Sequence, residues 1–166
     1  MSPATYALSA ALVWAGSGAG PGAARFHLFL TGKAHVVVYA ALEGAAHRLS
    51  KPECQRVLDD FRDDRGELLS TVLASKEMTH QAFLSSLLFV DAESVGPCKV
   101  HTVAAFTTPR ERVIRVCASR FVEGTLSNQK HMEIVIIHEL LHALGLGENP
   151  PTSAEITAQV MRRCAG

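Results

Sequence analysis

The segment IVIIHELLHAL, Ile134 to Leu144, constrains the fold more than any other stretch of the chain. Read as a helix it is apolar on nearly every side, through Ile134, Val135, Ile136, Ile137, Leu140, Leu141 and Leu144. A helix of this kind belongs inside a core. It nevertheless carries His138, Glu139 and His142, and burying those groups is costly unless something satisfies them. The fold must therefore enclose this helix and give three polar side chains a partner.

On a helix, residues i and i+4 share a face, so His138 and His142 can direct both imidazoles at one point. That suits a zinc ion, which takes neutral nitrogen ligands at about 2.0–2.1 Å. Glu139, beside His138, can approach a water at the metal without binding the metal itself. There it can act as general base on a water whose pKa zinc lowers to about 7, and return the proton to the leaving amine.

His138-Glu139-Leu140-Leu141-His142 is an H-E-x-x-H segment, and on it the chain resembles the zincin group of zinc metallopeptidases. The resemblance extends to Gly145 and position 148, where the metzincin pattern H-E-x-x-H-x-x-G-x-x-H has its turn glycine and third ligand. It implies that the glycine ends the helix and that residue 148 returns to the metal. Glu148 stands there in place of the usual histidine, and a carboxylate is an acceptable zinc ligand. The methionine turn of that branch has no counterpart, because the downstream Met161 falls in a predicted helix. In the gluzincin branch a glutamate on a later helix completes the site, which leaves Glu155 as the alternative third ligand, with a capping box Thr152-x-x-Glu155 as its structural role.

The resemblance covers roughly residues 127–164, and the tail HELLHALGLGENPPTSAEIT is similar to uncharacterised exported bacterial proteins of metallopeptidase type. It implies a zinc-dependent hydrolase of peptide bonds, an endopeptidase rather than an exopeptidase, with a peptide or protein as substrate. The alternative is a non-catalytic secreted module whose helix is stiffened by zinc for binding a partner. His131 shares the face of His138 but lies about 10 Å of helix rise away, which suits a supporting role. His101 is a candidate oxyanion donor or an exposed strand residue. AAFTT (residues 104–108) is a candidate edge strand for an extended substrate, by fold analogy.

Length and charge narrow the remaining choices. The 166 residues suit one domain. Sixteen basic and sixteen acidic residues leave no net field to attract nucleic acid or an anionic membrane. No run of about twenty apolar residues is present to span a bilayer stably, and a monomer is expected. The first 24 residues carry no charged side chain, and TYALSAALVWA or HVVVYAAL (His35 to Leu42) reads as an export segment. Residues 1–46 are therefore assigned to a leader and 47–166 to the zincin-like domain, placed outside a bacterial cell or in its periplasm. On this division Tyr6 and Tyr39, the only tyrosines, are lost with the leader and cannot serve the site.

The four cysteines contain no C-x-x-C pair, which argues against a thiolate zinc site and for disulfides. Cys98 and Cys117 flank two strand-like runs, and a Cys54–Cys164 bridge would tie the first helix to the last. Four free thiols in a cytosolic protein without metal are the alternative. The runs themselves predict a helix over 52–61 capped by Ser50, and a short helix capped by Thr79. A strand over 87–91 follows, and an antiparallel hairpin joins 100–108 to 112–118. A long helix over 127–145, opened by Ser127 or Asn128, and a last helix over 150–164 complete the order. That order is α+β: a small antiparallel sheet packed on the H-E-x-x-H helix, with further helices at each end.

Overall fold

The computed structural model of the chain describes residues 25–166. It begins with β1 (His27–Phe29) and α1 (Gly32–Leu49), followed by α2 (Pro52–Gln55), which tightens into a 3-10 turn over Arg56–Asp59. Then come α3 (Leu69–Ala74), α4 (His80–Ser85), β2 (Leu88–Asp91), β3 (Ala105–Phe106) and β4 (Val113–Val116). α5 (Ala118–Leu144) and α6 (Ser153–Cys164) close the chain. The class is α+β, as the order of elements predicts.

The core is organised around α5, against which α1 makes its main packing. Ala34, Val38, Ala41, Leu42, Ala45 and Leu49 recur at helical spacing and are buried. This corrects the division at residue 46, because residues 25–46 supply β1 and most of the helix that covers α5. The stretch HVVVYAAL is half of a core helix, and its uniform apolar character does not distinguish such a helix from an export segment, since both bury an apolar helix. TYALSAALVWA and Tyr6 lie outside the described residues. Tyr39 belongs to the folded domain, where its ring packs edge-on against Phe26 at 5.7 Å between centroids.

One contact between α1 and α5 is polar. Arg48 Nε donates to Glu133 Oε2 at 2.7 Å, both residues being buried, and Arg48 also donates to the carbonyl of Cys164 at the end of α6. A Cβ at Gly44 would overlap the Glu133 carboxyl, so the glycine lets the pair form. The Cys54–Cys164 disulfide ties α2 to the same end of α6.

The sheet has the order β1-β2-β4-β3 and is mixed: β1, β2 and β4 run parallel, and only β3 is antiparallel, to β4. The predicted hairpin is therefore present but short, with Ala105 opposite Val116 and Phe106 opposite Arg115. Had the strand continued back in this register, Cys98 would lie opposite Glu123; its disulfide to Cys117 instead requires the chain to turn back, which it does through a 3-10 turn over Gly96–Lys99. Both disulfides have the predicted partners.

Thr79 caps α4 by accepting from the Ala82 N–H at 3.1 Å, as predicted, whereas Ser50 does not cap α2: its hydroxyl donates to the His47 carbonyl and Lys51 takes the cap position. α5 starts nine residues before its predicted opening and bends at Asn128, whose φ of −159° is not helical. The Asn128 side chain accepts from the His131 N–H at 3.1 Å, so it caps the second arm, the one carrying the polar motif. Among the described residues no helix is long and apolar enough to cross a membrane.

Candidate metal centre

The second arm of α5 delivers His138, Glu139 and His142 at 5% exposure each, and Gly145 ends it in the left-handed conformation, φ +119°. The turn is held from outside. Arg110 N–H donates to the His142 carbonyl at 3.0 Å and Asp64 N–H to that of Gly145 at 3.3 Å, satisfying carbonyls that a helix end leaves without partners. Asp63 braces the loop on which Asp64 lies and the Arg110 side chain: its Oδ2 accepts from the Arg110 guanidinium at 2.9 Å, while its Oδ1 accepts from the Arg65 and Glu67 N–H groups at 2.9 Å each. Burial alone would raise the Asp63 carboxyl, but these N–H groups and the Arg110 guanidinium hold it below the usual carboxylate range.

Past Gly145 the chain turns back and brings Glu148 to the histidines. His138 Nε2 and His142 Nε2 are 3.0 Å apart, and Glu148 Oε1 lies 3.3 Å from the latter and 3.7 Å from the former. His138, His142 and Glu148 thus form a group that could hold a metal ion. Each imidazole is fixed from behind. His142 Nδ1 lies 2.7 Å from the Leu146 carbonyl, which can only accept, so Nδ1 carries the proton and donates. His138 Nδ1 lies 2.9 Å from the Thr157 hydroxyl of α6. Burial and then the neighbouring His142 hold His138 down at about 3, so its ring is neutral at ordinary pH.

Glu139 differs from its neighbours. Its Oε2 has no hydrogen-bond partner among the described residues. Burial pushes its carboxyl up to about 8, the Glu148 carboxylate adds to the rise, and the Thr107 backbone N–H opposes it. A cleft of about 710 Å³ connects this group to the surface and is lined by His138, Glu139, His142 and Glu148 on one side and by residues 102–107 on the other. β3 ends the sheet, so one edge of AAFTT is unpaired along the cleft.

The remaining candidates separate. Glu155 Oε2 accepts from the Thr152 N–H and hydroxyl at 2.8 Å each, completing the predicted capping box, and is not among the grouped ligands. His131 lines the cleft without joining the ligand group. His101 is exposed, pairs with Arg120 at 2.5 Å and does not line the cleft. Thr157, the Leu146 carbonyl and the Asp63–Arg110 brace had no signal in the sequence beyond the turn character of RDDRGE, because each reaches the motif helix only through tertiary contact. The chain matches no protein-family model, no curated protein and no solved structure.

Proposed function

We propose that the protein is an exported zinc metallopeptidase of zincin type that cleaves internal peptide bonds, with His138, His142 and Glu148 as zinc ligands and Glu139 as general base. The observation that carries this reading is a buried carboxyl with a free oxygen beside three converging ligand atoms, all opening on one cleft. Donor atoms around one four-coordinate zinc with bonds near 2.0–2.1 Å are about 3.3 Å apart. The separations of 3.0, 3.3 and 3.7 Å bracket that value.

The donor set of two neutral imidazoles and a carboxylate also matches the chemistry of zinc. Zn2+, when bound, supplies a Lewis acid that polarises a carbonyl and acidifies water. The chain's own residues do the rest. Glu139, whose ionised form a nearby bound cation would favour, accepts a proton from a water in the cleft and passes it to the leaving amine, a role that requires a carboxyl not already occupied by a structural partner. The unpaired edge of β3 can hold an extended substrate by backbone hydrogen bonds.

Two disulfides fit an oxidising compartment, secreted or periplasmic. The test is zinc content by elemental mass spectrometry together with cleavage of a peptide library. The wild type should hold one zinc per chain and cleave, Glu148→Ala should lose the zinc, and Glu155→Ala should keep it. A folded wild type without zinc would end the enzyme reading.

A further inference from the structure

The two ends of the cleft differ in chemistry. Toward the C-terminus of α5 it is lined by the metal-ligand group and Glu139, whereas about one to two turns earlier the same helix face presents Val135 and Met132. From the facing wall, Val103 and Phe106 add to this apolar end. Val103, Phe106 and Val135 are half-buried, so part of their apolar surface still faces the open volume.

Met132 is buried by the other arm of its own helix. α5 bends at Asn128, and the first arm comes so close that a Cβ at Gly124 would lie 2.7 Å from Met132 Sδ and 2.8 Å from its Cε. Only glycine at 124 therefore lets the thioether lie back against that arm. Gly124 sits inside a helix, where glycine is less stable than alanine, and its backbone is not in the left-handed region. What glycine supplies at this position is thus space and not a backbone conformation. A methyl there would displace the flexible tip of Met132, and in a close-packed interior the open volume beside that tip is the cleft that Met132 lines.

We propose that Gly124 and Met132 set the depth of a subsite that takes one large apolar side chain of a peptide substrate, leucine or phenylalanine in class. Met132 forms its adaptable floor, and its sulfur makes a favourable contact with an aromatic ring. The peptide as substrate rests on the metallopeptidase reading above, and the experiment separates the two.

The full chain, labelled with 13C at its four methionine methyl groups, is stripped by chelation and titrated with end-blocked alanine pentapeptides carrying Ala, Leu, Phe or Asp at the centre. Met132→Leu assigns the Met132 resonance. The Leu and Phe peptides should shift that resonance and bind about 10-fold or more tighter than the Ala and Asp peptides, while the exposed Met161 stays unmoved. A Met132 resonance unmoved by the Phe peptide, or equal affinity for all four, would overturn the subsite. The zinc-loaded chain is then given the same peptides and cleavage is read by mass spectrometry. Cleavage of all four alike would overturn the subsite and leave the peptidase reading intact. Selective binding at Met132 with neither zinc nor cleavage would overturn the peptidase reading and leave an apolar peptide site.

Gly124→Ala should fold, as circular dichroism checks, and keep the wild-type zinc content, because it touches no ligand. It should weaken the Leu and Phe peptides about 10-fold and leave the Ala peptide unchanged. Adding Met132→Val, which removes the atoms that the new methyl meets, should restore the preference. A folded Gly124→Ala with wild-type affinity for the Phe peptide would show that Gly124 does not set the depth.

Discussion

Glu133 and Glu139 stand on the same arm of α5, and both are less than a tenth exposed, yet their surroundings have opposite character. Glu133 is paired with Arg48 at 2.7 Å, Arg48 is bonded in turn to the Cys164 carbonyl, and Gly44 clears the space. Glu139 keeps one oxygen without a partner and faces a cleft. A buried carboxylate held in an ion pair rigidifies a fold, whereas a carboxyl left open at a cleft is available to do chemistry. The same side chain on the same helix thus completes an ion pair at one position and keeps an open oxygen at the other.

The largest effect that would break this comparison is at Glu139. Glu139→Gln should lower peptide hydrolysis by about 10²- to 10⁴-fold, the range for losing a general base. Zinc content should stay that of the wild type, and thermal stability should not fall, because no ion pair is lost. Cleavage by Glu139→Gln at the wild-type rate would mean that Glu139 is not the base.

The converse holds at Glu133. Removing one partner alone, as in Arg48→Met, leaves a buried charge uncompensated and should destabilise the fold by about 3–5 kcal/mol in urea unfolding. Arg48→Met combined with Glu133→Leu should recover most of that loss, since apolar replacement of a whole buried pair is often close to neutral. A single variant as stable as the wild type would show that the pair is not structural. Next in size is the Cys54–Cys164 bridge, which joins positions 110 residues apart at the same end of the molecule. Replacing both cysteines with serine should remove about 2–5 kcal/mol. Bound zinc should remain, because the ligands come from α5 and its turn.

How much of this was legible depended on whether the cause was local. Cap and turn chemistry acts within a few residues, so Thr79, Asn128, Gly145 and the Thr152–Glu155 box were readable, as were the helices they bound. The i, i+4 histidines were readable because a helix fixes their relation. Glu148 came from a resemblance, and its approach to the histidines depends on the turn that follows Gly145. Residues 25–46 were misjudged because a helix covered by protein and an export segment share one apolar signature; what distinguishes them is α5, nearly a hundred residues later. The same limit hid Arg48–Glu133, Thr157 and the Asp63 brace, each a contact between distant elements with no periodicity to announce it.

The smallest effect should appear at that brace, which lies between the two regimes: Asp63 has partners on both oxygens, but it braces the turn that carries Glu148. Asp63→Asn keeps an oxygen for the Arg65 and Glu67 N–H groups and loses the charge facing Arg110. Because Arg110 is partly exposed, the pair is screened and the change in stability should be modest. Its pH dependence is the sharper test. The folded-state pKa of Asp63 lies below its unfolded value, so its contribution is present above about pH 4, where the unfolded carboxyl is also ionised, and is lost as pH falls through the lower folded value. Thermal melts of wild type and Asp63→Asn should therefore differ at neutral pH and converge in acid. A difference that grew on acidification would mean that the charge opposes the fold. Salt should narrow the neutral-pH gap, because screening weakens the Arg110 contact but leaves the N–H bonds intact. A gap unaffected by salt would assign the brace to those backbone bonds alone and remove Arg110 from the support of the turn that carries Glu148.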